Sequence, residues 1–128
     1  MRTQSLTALA FLAGVAVSTA AIHELHAAAS QPVYVVTEVD VSDLAAYQKE
    51  YVPVVQASIK ASGGRIIAAG QNAVALEGTP PAARVAINQF DSLGAVLAWR
   101  SSPQYKEARK IGDKYAKFRS FAIQGVSQ

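Results

Sequence analysis

Cysteine is absent from the 128 residues, and the two histidines and the single methionine (His23, His26 and Met1) all lie in the first 29 positions. Those positions read as a processing segment. Without them about 99 residues remain, with 11 basic and 8 acidic side chains, a net charge of +3, and neither thiol nor imidazole. That composition excludes a thiolate nucleophile, an imidazole base, a Ser-His-Asp triad, His-ligated haem, a zinc finger and a blue-copper site from the processed chain. No cofactor and no metal is expected. With 51% hydrophobic and 16% charged residues the chain is too apolar for a disordered tail and too interrupted for a multi-span membrane protein. One small domain with one core is expected over residues 30–128.

The leader has the charged-then-apolar order of an export signal: Arg2, then an uncharged run from Leu6 to Ile22. Ala27, Ala28 and Ala29 offer the small residues a signal peptidase reads, which predicts cleavage between Ala29 and Ser30, so residues 1–29 are expected to be a signal peptide. The apolar run falls short of the ~20 residues that comfortably span a bilayer. Contact with a membrane is expected only if the segment stays uncleaved, and no cysteine is present to carry a lipid anchor. The expected location is periplasmic or secreted, in a bacterium. A fold there without cysteine must be held by its core or by association.

From Val33 to Val41 apolar and polar residues alternate, which predicts a strand with Val33, Val35, Val39 and Val41 on one face and Tyr34, Val36, Glu38 and Asp40 on the other. Ser42 or Asp43 caps a helix whose inward positions are Leu44, Tyr47, Tyr51, Val55 and Ile59. Pro53 predicts a kink or a second helical start, and Ser62-Gly63-Gly64 a stop. Arg65–Ala69 and Ala73–Glu77 read as one strand interrupted at Gly70-Gln71-Asn72. After the turn Gly78-Thr79-Pro80-Pro81, a strand from Arg84 to Phe90 is expected. Asp91 or Ser92 then caps a helix with Ala95, Ala98 and Trp99 inward, and Ser102-Pro103 restarts it with Tyr105, Ala108, Ile111, Gly112 and Tyr115 inward. Lys117–Val126 closes the chain as a strand, with Phe121 and Ile123 on one face.

Strand, helix, strand, strand, helix, strand is the ferredoxin-like βαββαβ order of an α+β domain. Two helices cover one face of a four-stranded antiparallel sheet. The other face is too apolar to stay wet, and a second copy is its simplest cover, so a homodimer is expected.

The segments Tyr34-Val35-Val36, Tyr47 with Tyr51, Gly63-Gly64-Arg65-Ile66-Ile67-Ala68, Leu76-Glu77-Gly78-Thr79, Phe90-Asp91-Ser92, Ala98-Trp99, Ser102-Pro103-Gln104-Tyr105 and Ile123-Gln124-Gly125 occur in an order that resembles the domain of unknown function 1330 family, within the dimeric α+β barrel superfamily. The resemblance spans about Tyr34 to Val126. It implies a ferredoxin-like subunit pairing sheet to sheet, with a cavity between sheets and helices, and supplies no reaction. Related sequences often carry an arginine seven residues after the tyrosine of Ser-Pro-x-Tyr, where this chain has Gly112. They often carry an acid before the last glycine, where it has Gln124.

Glu38 is the most suggestive ionisable residue, lying mid-strand on the face a second copy would cover. Asn88 or Arg84 from one side and Ser120 or Gln124 from the other are expected as its polar neighbours. There it acts either as a base or as a hydrogen-bonded interface carboxylate. Trp99 and Tyr105 flank the helix restart and either line a pocket or pack as core, and Tyr34, Tyr47 and Tyr51 present hydroxyls or pack likewise. The basic run Lys106, Arg109, Lys110, Lys114, Lys117 and Arg119 reads as a solvated helix face and not as a nucleic-acid surface, since the export signal gives the wrong address.

The preferred expectation is an exported homodimer binding a small apolar or aromatic molecule in the cavity of the barrel, selected by Tyr34, Glu38, Asn88, Trp99 and Tyr105. The rivals are a cofactor-independent enzyme in the same cavity, abstracting a proton or isomerising with Glu38, tyrosine or arginine, and a purely structural dimer. A dimer pocket of ~300 Å³ or more favours binding, and a closed, dry interface favours the structural role.

Overall fold

A computed structural model describes residues 31–127, so the export segment expected over residues 1–29 lies outside the described residues. Strand β1 (Val33–Val41) forms as its alternation predicts. A helical turn α1 (Leu44–Ala46) follows, capped by Asp43, whose Oδ1 accepts from the Ala46 amide at 3.1 Å. The chain continues as a π turn (Tyr47–Tyr51) into α2 (Val52–Ala61). This is the second start expected at Pro53. Proline has no N–H to give the Lys49 carbonyl and its ring crowds that oxygen, and the widened turn closes instead through the Val52 amide to the Tyr47 carbonyl.

Helix α2 stops as the glycine pair predicts. Gly63 sits at φ +78°, and the Gly63 and Gly64 amides donate to the Lys60 and Ile59 carbonyls at 3.1 and 2.9 Å. Next come β2 (Arg65–Gly70), β3 (Arg84–Phe90), α3 (Leu93–Ser101), α4 (Pro103–Gly112) and β4 (Ala116–Gln124). Ser92 and Ser102 cap α3 and α4, their hydroxyls accepting from the Ala95 and Tyr105 amides. Ala73–Glu77 is not a strand. It belongs to an irregular connection over residues 71–83 in which Val74 and Leu76 lie almost fully exposed. A strand there would need a partner, and β3 begins only at Arg84.

The sheet is antiparallel in the order β2-β3-β1-β4, the ferredoxin-like α+β arrangement. Its helix-facing side buries two clusters. Val33, Val35, Ile59, Phe90, Val96, Trp99 and Tyr105 form one, and Val39, Tyr47, Tyr51, Ala108 and Ala116 the other, with Val55 packed against both. Two expected inward positions differ. Leu44 and Ala98 are exposed, and Val96 takes the inward place in α3 beside Trp99.

Among the described residues no helix lies over the second side of the sheet. Phe121 (48% exposed), Ile123 (58%) and Ile67 (46%) stand open, with half-buried Val36 and Ile87 completing the row to Phe121.

Candidate functional site

The four strands each place a small side chain at one level of the helix-facing side. Register aligns Ala69 with Ala86, Ala86 with Thr37, and Thr37 with Ser120, whose hydroxyl lies 3.1 Å from that of Thr37. No large residue stands in this row to reach the helices, so the two core clusters do not close on each other. The gap is a cavity of about 70 Å³. That is room for about five water-sized atoms at the ~10–15 Å³ each occupies.

Apolar walls come from Val39, Val55, Ile59, Trp99 and Phe118, and the polar lining includes Tyr47, Tyr51, Asn88 and Tyr105. Ser58, fully buried, accepts from the Trp99 indole N–H at 3.1 Å and donates to the Val55 carbonyl at 2.7 Å, which fixes the indole in place. Phe90 and Tyr105 flank that indole at 5.1 and 4.6 Å between ring centroids. The π turn brings Tyr47 and Tyr51 together at 5.1 Å. Burial raises both phenols above their ordinary value. The neighbouring Tyr47 and Tyr105 add to this at Tyr51 against the pull of Arg109 and Arg100, and Arg84 opposes it at Tyr47.

Three arginines complete the lining, and among the described residues no carboxylate does. Arg84 stacks over Tyr47 with its guanidinium carbon 5.2 Å from the ring centroid, Arg100 over Tyr105 at 4.8 Å, and Arg109 over Phe118 at 4.1 Å. Arg109 is also bound to Asp113 at 2.7 Å and to the Tyr105 hydroxyl at 3.3 Å. Among the described residues neither Arg84 nor Arg100 has a carboxylate within ion-pairing distance. Asn88 is 5% exposed, and its Oδ1 is buried with no hydrogen-bond partner among the described residues. An unmet acceptor at this depth costs about 1–3 kcal/mol until a donor arrives.

Of the residues expected at a site, Asn88, Trp99 and Tyr105 meet in this cavity, and Tyr34 and Glu38 do not. The expected cluster of Glu38 with Asn88, Arg84, Ser120 and Gln124 does not form. Across the ladder Glu38 faces Val85 and Arg119, which puts those four on the opposite side of the sheet from it. Directly opposed residues share a face, so Glu38 shares its face with Val85 and Arg119, and Asn88, Arg84, Ser120 and Gln124 share theirs with Val35, Val39, Thr37 and Val33. Glu38 is bound by Arg119 and by the Ala82 amide at 3.1 Å, and Tyr34 shares its side with Gln89 and Ile123.

Of the basic run read as a solvated helix face, Lys106 and Lys110 lie exposed on α4, Arg109 is half-buried on it, and Lys114, Lys117 and Arg119 are exposed beyond it, the last two on β4. The spacing signal was present: Arg109 stands four residues after Tyr105 on one helix, and Arg100 adjoins Trp99. Gly112, where relatives of the resembled family often carry arginine, lies against the Tyr51 ring. A Cβ there would come within 2.7 Å of it and within 3.0 Å of Phe118.

A family model described as a domain of unknown function, DUF1330, matches residues 32–126. No protein of curated function matches the chain. Among solved structures, a protein of unknown function from Rhodopseudomonas palustris is similar at TM-score 0.57 and 19% identity, over 84% of this chain and 94% of that one. A conserved protein of unknown function from Bacteroides thetaiotaomicron, described as a possible oxidoreductase, is similar at TM-score 0.50 and 11% identity, over 76% of this chain and 100% of that one. A dimeric protein of unknown function and ferredoxin-like fold from Bacteroides fragilis gives TM-score 0.45 at 16% identity, over 73% and 96%. At these identities the likeness is one of fold.

Proposed function

Since the chain belongs to the DUF1330 family, whose description carries no reaction, we propose its role from its own geometry: an exported binding module that holds a small molecule between helices and sheet and pairs with a second copy through the uncovered sheet face. The observation that carries the binding role is a cavity floored by a row of small residues and lined by Asn88, whose buried Oδ1 has no hydrogen-bond partner among the described residues. Such a row leaves space at the cost of lost packing, and an occupant recovers both the contacts and the hydrogen bond. At about 70 Å³ the space is well below the ~300 Å³ of drug-sized pockets, so the occupant is small.

Self-association is supported by Phe121, Ile123 and Ile67 standing half-exposed on one side of the sheet. At one end of that side Glu38 pairs with Arg119 while Asp40 lies opposite Lys117, a charge-balanced border to an apolar surface. A base role for Glu38 inside the cavity is not supported, because Glu38 lies on the other face of the sheet. Export follows from the leader, and its test is the mass of the protein recovered from the periplasm, expected to begin at Ser30.

The binding role is tested by Ala86→Leu, which fills the cavity from its floor. Native mass spectrometry and a thermal-shift screen of small metabolites are expected to find a ligand for the unaltered protein and none for this variant. Equal retention by both proteins would place the ligand elsewhere and end the reading.

A further inference from the structure

The charge and polarity of the lining restrict what the cavity takes, given the proposed binding role on which this inference rests. Arg84 and Arg100 are half-buried, stacked on rings that line the cavity, and free of carboxylate partners among the described residues. A guanidinium withdrawn from water without a counter-charge is disfavoured, and an anion in the cavity would supply one to both. The Tyr105 hydroxyl accepts from Arg109 and so keeps its own proton to donate to the same anion.

Asn88 Oδ1 makes the opposite demand, for a donor. An ammonium group would satisfy it but would enter a lining with three arginines and no acid. A hydroxyl satisfies it without charge. Inorganic phosphate presents oxygen in every direction, whereas Val39, Ile59 and Trp99 offer a wall that only carbon fits well.

We propose that the cavity binds a small hydroxycarboxylate, its carboxylate held by Arg84 and Arg100 and its hydroxyl donating to Asn88 Oδ1.

The test is calorimetric titration of the full chain, at constant ionic strength, with a near-isosteric series. Lactate carries both groups, propionate lacks the hydroxyl, alanine replaces it with ammonium, and 1,2-propanediol replaces the carboxylate with a neutral group; inorganic phosphate completes the set. Lactate is expected to bind tightest. Propionate should be weaker by roughly fivefold, and alanine and propanediol by roughly 10- to 100-fold, as suits one neutral and one charge-assisted hydrogen bond.

Arg100→Gln should weaken lactate and propionate alike by roughly tenfold or more. Asn88→Leu should bring lactate down to the level of propionate. Should that variant not fold, as read by circular dichroism, the lactate-to-propionate ratio in the unaltered protein carries the same information. Propanediol or alanine binding as tightly as lactate overturns the hydroxycarboxylate and leaves the cavity reading standing. Phosphate binding tighter than lactate overturns it in favour of an inorganic anion. If none of the five binds, the hydroxycarboxylate is overturned, and the cavity reading is decided separately by the comparison with Ala86→Leu.

Discussion

At the scale of single residues, the interior has sites where one atom decides the outcome. Gly112→Ala drives a methyl into the Tyr51 ring and against Phe118, and the overpacking is expected to cost ~1–3 kcal/mol, read as a lower urea midpoint with unchanged slope. Ser58→Ala strands the Trp99 N–H in a site where Ser58 is fully buried, for an expected loss of about 1–3 kcal/mol in the same measurement. Glu38→Gln gives the contrasting result. It removes an ion pair whose arginine is largely exposed, so stability is expected to change by less than ~1 kcal/mol and ligand affinity not at all, by calorimetry.

At the scale of elements, the helical segment between β1 and β2 couples proline chemistry to the tyrosine pair. Pro53 forces the π turn, and the turn contains Tyr47 and Tyr51, whose phenols are neutral in the fold and raised above their ordinary value, first by burial. An unfolded chain ionises these phenols from about pH 10, whereas the folded chain holds their protons to higher pH. Folded molecules then bind more protons than unfolded ones, so stability is expected to be constant through neutral pH and to fall as pH rises above about 10. Urea midpoints across that range check it, and replacing both tyrosines with phenylalanine should flatten the decline.

The elements that sequence revealed were those with local chemistry: Asp43, Ser92 and Ser102-Pro103 at helix starts, Gly63-Gly64 at a stop, and the alternation of β1. What it hid was long-range. The irregularity between Ile66 and Ala68, the register that aligns Glu38 with Arg119, and the row Ala69-Ala86-Thr37-Ser120 depend on strands far apart in the chain. Candidate site residues chosen from one strand's alternation therefore divided between two faces; Arg84 was expected beside Glu38 and Arg109 on a solvated face, and Arg100 carried no expectation, because a charged side chain gives no sign in the sequence of the ring it will stack on.

At the scale of the whole molecule, one sheet separates two surfaces of different character. The helix side holds a cavity rimmed by cations, and the far side presents aromatic and aliphatic groups to whatever meets it. Charges placed on the far side should therefore disturb association and nothing else. Phe121→Asp with Ile123→Asp is expected to convert the proposed dimer to a monomer by light scattering, with small-molecule affinity retained. A monomeric unaltered protein would remove the need for a twin. Trp99, the only indole in the chain, stands on the cavity side, clasped by Ser58 and flanked by Phe90 and Tyr105. Its emission is thus a built-in, label-free optical gauge. Filling the interior should alter its colour and intensity, and subunit pairing across the sheet should leave it unmoved, so the two proposed events are separable by light alone.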